Sequence, residues 1–322
     1  MTAFSRNKGR LLAAISLLAL AWAMPAMAGE ESLDEMLEDV GQAYAEGYLS
    51  PLIHGFGINL NTGLYHTAAI PRTRITFNFG VKAMAAKIHD DDKTFRVVQT
   101  VDLSDYLEPG DTGYGEQGKL VFEGPTVFGD DTEEGTMTAY YHGIPVLTEE
   151  LITAVASMDY VLLAAPELSV GGIAGLEATL RWLPTMKAGD LGEISYMGFG
   201  ASYNVSQYFP VLPLDAKVGL FFQNLDVGES LSSSASSYYV AVSKSLTPLF
   251  TAYGGVAMES SSMDVSYTWV RDDTETDISF SVDGAQSGRA TLGATVSLGL
   301  KLNAEVNFGK MTTYSAGLLF GF

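Results

Sequence analysis

Four histidines, His54, His66, His89 and His142, and a complete absence of cysteine set narrow limits on the chemistry of this 322-residue chain. No cysteine means no disulfide, no thiol nucleophile and no thiolate metal site. None of the histidines has the i, i+4 spacing of a metal pair on one helix face, and no H-E-x-x-H occurs. A G-x-S-x-G nucleophile elbow and a phosphate loop are absent as well. Barrel-borne hydrolases place His, Ser and Asp on their strands, and His66, near a strand end, is the one histidine placed for such a role. An interfacial or loop histidine is the alternative. Asp90-Asp91-Asp92 gathers the oxygens that calcium favours, yet lacks the D-x-[DN]-x-[DN]-G spacing and reads as a solvated turn. These residues predict no catalytic set, no metal site and no cofactor, and the chain is not expected to be an enzyme.

Three cations carry more information. Lys82, Arg181 and Lys217 stand at polar positions of segments that otherwise alternate apolar and small residues, in a chain with a formal net charge of −20. If those positions line an interior, two roles are open. The cations could receive the carboxylate head of an amphipathic ligand. They could instead pair with interior acids such as Glu177 or Asp215, because a charge removed from water needs a partner.

The elements that would position these cations are strands. Ile75, Phe77, Phe79 and Val81 alternate with Thr76, Asn78, Gly80 and Lys82; Leu176, Ala178, Leu180 and Trp182 alternate with Glu177, Thr179 and Arg181. Ala216, Val218, Leu220 and Phe222 repeat the pattern around Lys217. A period of two marks a sheet with one apolar face, which is a core in a soluble sandwich and a lipid-facing belt in a membrane barrel. The final stretch, Tyr314, Ala316, Leu318, Phe320 and Phe322, favours the barrel. An alternating aromatic strand ending on Phe resembles the signal read by the bacterial barrel-insertion machinery, with Phe320 and Phe322 as its aromatic positions.

The start of the chain agrees. Arg6, Lys8 and Arg10 precede the apolar stretch Leu11 to Ala23, and Ala26-Met27-Ala28 forms an A-x-A site with cleavage after Ala28. No later run is long enough for a spanning helix, so a membrane-embedded chain must be a closed barrel. Acids cluster at Asp90–Asp92, Asp130-Asp131, Glu133-Glu134, Glu149-Glu150 and Asp272-Asp273, as solvated loops between embedded strands would. The charge makes a nucleic-acid partner unsuitable. The expected partition is a signal peptide over 1–28, an N-terminal helix or plug over 29–56, and an all-β antiparallel transmembrane barrel over 57–322, with a long loop excursion at 103–157. Leu33, Met36, Leu37, Val40 and Tyr44 give the helix, which either plugs the lumen or lies on the barrel end. Counting segments from 57–67 to 313–322 gives about twelve strands, or fourteen with a further hairpin inside 117–147. Strands near 249–270 and 276–298 exceed a membrane span and should project as a hairpin around Arg271-Asp272-Asp273. Ser230–Ser237 reads as a flexible surface loop.

Short glycine-rich motifs add a resemblance over most of the chain. Tyr48-Leu49-Ser50-Pro51, His54-Gly55-Phe56-Gly57, Asn61-Thr62-Gly63-Leu64-Tyr65-His66-Thr67-Ala68, Gly124-Pro125-Thr126-Val127-Phe128-Gly129 and Leu180-Arg181-Trp182-Leu183-Pro184 resemble a family of outer-membrane proteins from the Bacteroidetes and Chlorobi groups. That family is similar in layout to FadL-type transporters of long-chain fatty acids and hydrocarbons. The resemblance implies a bacterial outer-membrane location, outer-membrane lipid as partner, an N-terminal plug and passage of a small hydrophobic ligand. The Asn-Pro-Ala-Gly core of the FadL plug is missing, so no FadL ligand residue transfers. The competing expectations are a small water-filled porin and a structural or surface-exposed barrel that transports nothing.

Overall fold

The computed structural model describes residues 42–155, 157–187, 193–209, 211, 213–271 and 274–321. Helix α1 (Gln42–Leu60) is followed by fifteen strands: β1 (Thr76–Lys87), β2 (Thr94–Asp102), β3 (Gln117–Pro125), β4 (Glu134–Tyr141), β5 (Ile144–Thr153), β6 (Tyr160–Ile173), β7 (Leu176–Lys187), β8 (Glu193–Asn204), β9 (Asp215–Val227), β10 (Leu231–Ser245), β11 (Phe250–Arg271), β12 (Thr274–Asp283), β13 (Gly288–Ser297), β14 (Lys301–Phe308) and β15 (Thr313–Gly321). Ten of them, β1, β6–β11 and β13–β15, close into an antiparallel barrel. First and last strands seal it, with Val81 opposite Leu318 and Phe79 opposite Phe320. β12 stays outside the barrel, paired to the far half of β11. The foot is the end where β1 begins and β15 finishes; the head is the opposite end.

Alternation left two readings of the apolar face, and the fold decides between them. Phe77, Phe79, Leu180, Trp182, Phe199, Leu220, Val240 and Leu292 all point outward and are exposed. The alternate face turns inward, where Lys82, Arg181, Lys217, Asn78, Gln223 and Asn303 are buried. The barrel is thus inside-out relative to a soluble sandwich, with a polar lumen and an apolar exterior. Small strand residues make room inside: a Cβ on Gly219 would fall 2.3 Å from the ring of Tyr239, and one on Gly293 as close to the ring of Tyr253. Each tyrosine lies across the glycine of a neighbouring strand and fills lumen volume that a ten-stranded barrel would otherwise leave open.

The strand count differs from the expected twelve for two reasons. Residues 57–67 do not form a strand: Ile58 and Leu60 end α1, and Leu64 belongs to the segment that follows it. Residues 94–102 are a strand, β2, but of a second, four-stranded sheet in the order β2-β3-β4-β5. The excursion at 103–157 is therefore largely folded, and the further hairpin within 117–147 exists as β3–β4 outside the barrel. Residues 276–298 break at Gly284–Ser287 into β12 and β13, so only the second piece joins the barrel. The long β11–β12 hairpin does project beyond the barrel, with Ser262 opposite Asp283. The serine run is also corrected. It forms the start of β10, where Ser234 and Ser236 meet Ser262 and Ser260 across the ladder at 3.1 and 2.9 Å, and Ser233 and Ser237 turn inward.

Helix α1 is buried on nearly every side, which is why it lacks a polar stripe. Its first half packs beneath the four-stranded sheet. Tyr44, Tyr48, Leu49, Leu52 and Ile53 share one apolar cluster with Leu120, Phe122, Met137 and Ala139. Tyr44 Oη donates to the Ile152 carbonyl at 3.1 Å and Tyr48 Oη to that of Thr153 at 2.9 Å. The second half enters the barrel, where Gly55 is required: a Cβ there would stand 2.3 Å from Val161 Cγ2. The proposed signal with Ala28, the helical positions 33–40 and terminal Phe322 lie outside the described residues.

Candidate functional site

The lumen is occupied by the chain itself. From Leu60 the polypeptide runs down the barrel as an irregular segment, reaches the foot, and turns into β1 at Thr76. Each stage of the descent is tied to the wall. Asn59 Nδ2 donates to the Val161 carbonyl at 2.7 Å, and Gln223 Nε2 donates to the Leu60 carbonyl. Further down, Thr295 Oγ1 donates to the His66 carbonyl at 2.6 Å, Ser243 Oγ accepts from Ala68 N at 2.9 Å, and Asn204 Nδ2 donates to the Ile70 carbonyl at 2.9 Å. A segment without secondary structure carries unsatisfied backbone groups, and an inward face of amides and hydroxyls satisfies them.

Arg181 is the central tie. It is fully buried, as is its partner Glu167, whose carboxylate accepts from Arg181 Nε at 3.0 Å. The two face each other directly across the β6–β7 ladder. Both terminal nitrogens of the guanidinium also reach the plug: Nη1 donates to the Thr62 carbonyl at 2.9 Å and Nη2 to the Gly63 carbonyl. Gly63 makes this possible with φ of +71°, in the left-handed region that glycine enters without strain. Its N–H donates to Glu305 Oε1 at 3.0 Å, and Glu305 also accepts from Tyr253 Oη at 3.1 Å. Arg289 pairs with Glu259 at 3.3 Å and reaches Thr62 Oγ1 at 3.3 Å. Breaking such a buried pair at one end costs about 3–5 kcal/mol, because the survivor is left charged and unpaired.

The three cations expected to line an interior all do so, at 0–2% exposure. Arg181 binds Glu167 and the plug. Lys217 binds Glu177 at 3.0 Å, the partner that interior pairing predicts, and stands 5.9 Å from the centre of the Tyr65 ring. Lys82 donates to Asn303 Oδ1 at 3.1 Å. They are distributed around the wall, and their described bonds go to the chain itself. Asp215, the other expected acid, lines a cavity at the foot. Sequence reasoning missed Glu167, Glu259, Arg289 and Glu305. The available signal was the one that located Lys82: a charge at an inward position of an alternating strand. What could not be read was that Thr62 and Gly63 would meet Arg181.

His66 sits low in the lumen, 6% exposed. Its Nε2 has no hydrogen-bond partner among the described residues. At the foot, His66 and the last residues of the plug border a cavity of about 360 Å³. The Asp90–Asp92 run forms a single 3-10 turn, with Asp92 Oδ2 3.6 Å from His89 Nδ1. Among the described residues no cluster of His, Asp and Glu could hold a metal ion, and no helix is long and apolar enough to cross a membrane.

Comparison with known proteins adds the following. The chain is similar to a loop-deletion mutant of OmpT, an outer membrane protein of Vibrio cholerae, at 12% identity and a TM-score of 0.26, covering 77% of this chain and 99% of that one. It is similar to the β domain of the Bordetella autotransporter BrkA at 10% identity and a TM-score of 0.30, covering 77% and 100%. A mutant porin of Rhodopseudomonas blastica follows at 12% identity and a TM-score of 0.14, covering 77% and 100%. Among curated proteins none matches the chain. One family model matches residues 7–322, almost the whole sequence, and the chain accordingly belongs to the family described as "Family of unknown function (DUF6588)".

Proposed function

We propose that this protein is an outer-membrane barrel kept shut by its own N-terminal segment, and that it serves to hold the folded head at the cell surface. The observation that carries the reading is the continuous tie between plug and wall, from Asn59 at the head side to Ile70 at the foot. The membrane location rests on the belt: an apolar exterior circling a polar, ion-paired interior is stable in a bilayer and a liability in water. The signal ending at Ala28 delivers the chain to the export pathway, and Phe320 and Phe322 offer its last strand to the insertion machinery. Phe320 lies on the outward face, opposite Phe79 of β1, at the seam where the barrel closes.

A water-filled porin fits poorly, because a ten-stranded lumen already holds a polypeptide along its length. Uptake of small hydrophobic compounds, which the resemblance implies, gains no support from a lumen lined by Lys82, Arg181, Glu167 and Glu305. Conductance of the purified full-length protein in a planar lipid bilayer tests the proposal. The expected result is a silent membrane at neutral pH. Steady ohmic steps would contradict it and favour a porin. Silence combined with saturable transfer of a fluorescent fatty acid into liposomes would contradict it in favour of hydrophobic uptake.

A further inference from the structure

The outer face of the head sheet carries a cavity whose charge is opposite to that of the chain. One set of alternating positions on β3 and β4 puts Leu120, Phe122, Met137 and Ala139 into the core with α1. The other set faces away from that core. There the ladder sets Thr100 opposite Lys119, and Lys119 opposite Tyr140, so that one row crosses three strands. Val98 and Val121 form the next row, and Arg96 with Glu123 the row beyond. Glu123 excepted, these residues line a cavity of about 570 Å³, together with Gln117 and His142. Among the described residues no carboxylate lines it, in a chain with 38 acidic and 18 basic residues. At the edge, Arg96 Nε donates to Glu123 at 3.0 Å, an exposed pair that contributes little. Lys119 has no ionic partner among the described residues. The residues opposite it are neutral, and its acidic diagonal neighbour, Asp102, instead accepts from the N–H and hydroxyl of Ser104 at 2.9 and 2.7 Å.

The turn beside the cavity is strained. His142 and Gly143 join β4 to β5 with φ of +48° and +81°. Asn-Gly is the pair such a two-residue turn favours, so the turn alone gives no reason for an imidazole in the left-handed region. That imidazole lines the cavity. The floor is apolar, made by half-buried Tyr140 and by Val98 and Val121, with Thr100 and Gln117 supplying a hydroxyl and an amide. The backbone groups between β2, β3 and β4 are already paired, so an acidic peptide finds no strand to join on this face. An occupant must be held by side chains: an anion with a flat apolar surface and hydroxyls at its edge. A sugar acid has that form, and the volume lies within the usual range for ligand sites. We propose that the outer face of the head sheet binds a carboxylate-bearing oligosaccharide, with the carboxylate on Lys119, the imidazole of His142 and Arg96 at the rim, and a sugar ring over Tyr140. This inference rests on the reading above for its place at the cell surface, while the site itself belongs to the head.

Calorimetric titration of the refolded full-length protein in detergent tests this, with trigalacturonate, maltotriose, hexaglutamate and inorganic phosphate as probes. Trigalacturonate should bind, and each of the other three at least tenfold more weakly. Lys119→Gln, at an exposed position, should weaken trigalacturonate at least tenfold. His142→Asn, which keeps a residue suited to the turn, should weaken it at least threefold. No heat with trigalacturonate, or maltotriose, hexaglutamate or phosphate binding as tightly, would overturn the proposal. So would an unchanged affinity in either variant. Binding and conductance are read separately: a silent barrel that ignores trigalacturonate overturns this inference alone, and a conducting barrel that binds it overturns the closed-barrel reading alone.

Discussion

The two halves of the N-terminal segment are held by opposite chemistries. Under the head sheet, α1 is fixed by apolar packing: Tyr44, Tyr48, Leu49 and Leu52 are fully buried against Leu120, Phe122 and Met137. Inside the barrel, the same chain is fixed by Arg181, Gln223, Thr295 and Asn204, almost entirely through its backbone carbonyls. The difference follows from the barrel being inside-out. Most of its large apolar residues are committed to the exterior, so the backbone of the irregular segment is held in the lumen by polar groups, with Leu64 and Tyr65 packing on Phe221, Tyr239 and Tyr253. The head lies beyond the barrel and can use an ordinary core. Apolar packing is tolerant of small rearrangements, whereas a buried ionic network fails when one member is lost. The two regions should therefore respond differently to substitution.

The largest effect is expected at Arg181. Arg181→Leu strands Glu167 and releases the carbonyls of Thr62 and Gly63, which should lower stability by about 3–5 kcal/mol in denaturant unfolding. It should also produce intermittent conductance in a planar bilayer. A silent variant of wild-type stability would erase the distinction between the halves. Leu52→Ala, in the head core, should cost about 2–4 kcal/mol by opening a cavity. Its expected signature is faster proteolysis of the head sheet over 94–153 with the bilayer still silent. Conductance from Leu52→Ala would show that the head, and not the lumen network, keeps the barrel closed.

Much of the barrel was legible because a period of two survives in any strand with one apolar face. β1, β7, β9 and β15 were readable from residues such as Phe77 and Leu180, and the inward direction of Lys82, Arg181 and Lys217 followed at once. The segment 57–67 was misread for a physical reason. A helix buried all round has no polar stripe, so Ile58, Leu60 and Leu64 imitate strand alternation. Membership of a sheet was equally hidden, since nothing in residues 94–102 states whether their partner is β1 or β3; closure over long range decides it. Glu167 and Arg181 were findable as a cross-ladder pair, but the carbonyls that Arg181 grips were not. They depend on the chain passing through the lumen, which local pattern does not encode.

That passage is the claim on which the rest depends, and the absence of native cysteine makes it directly testable. A Cβ placed on Gly63 would lie 3.5 Å from that of Ser315 on β15, within disulfide reach. The positive φ at Gly63 adds a strain of about 1–2 kcal/mol, which a stably folded barrel can absorb. Gly63→Cys with Ser315→Cys, oxidised mildly in the membrane and mapped by non-reducing peptide mass spectrometry, should give the 63–315 cross-link as the dominant species. Two free thiols, both open to a maleimide, would mean that the segment does not thread the barrel.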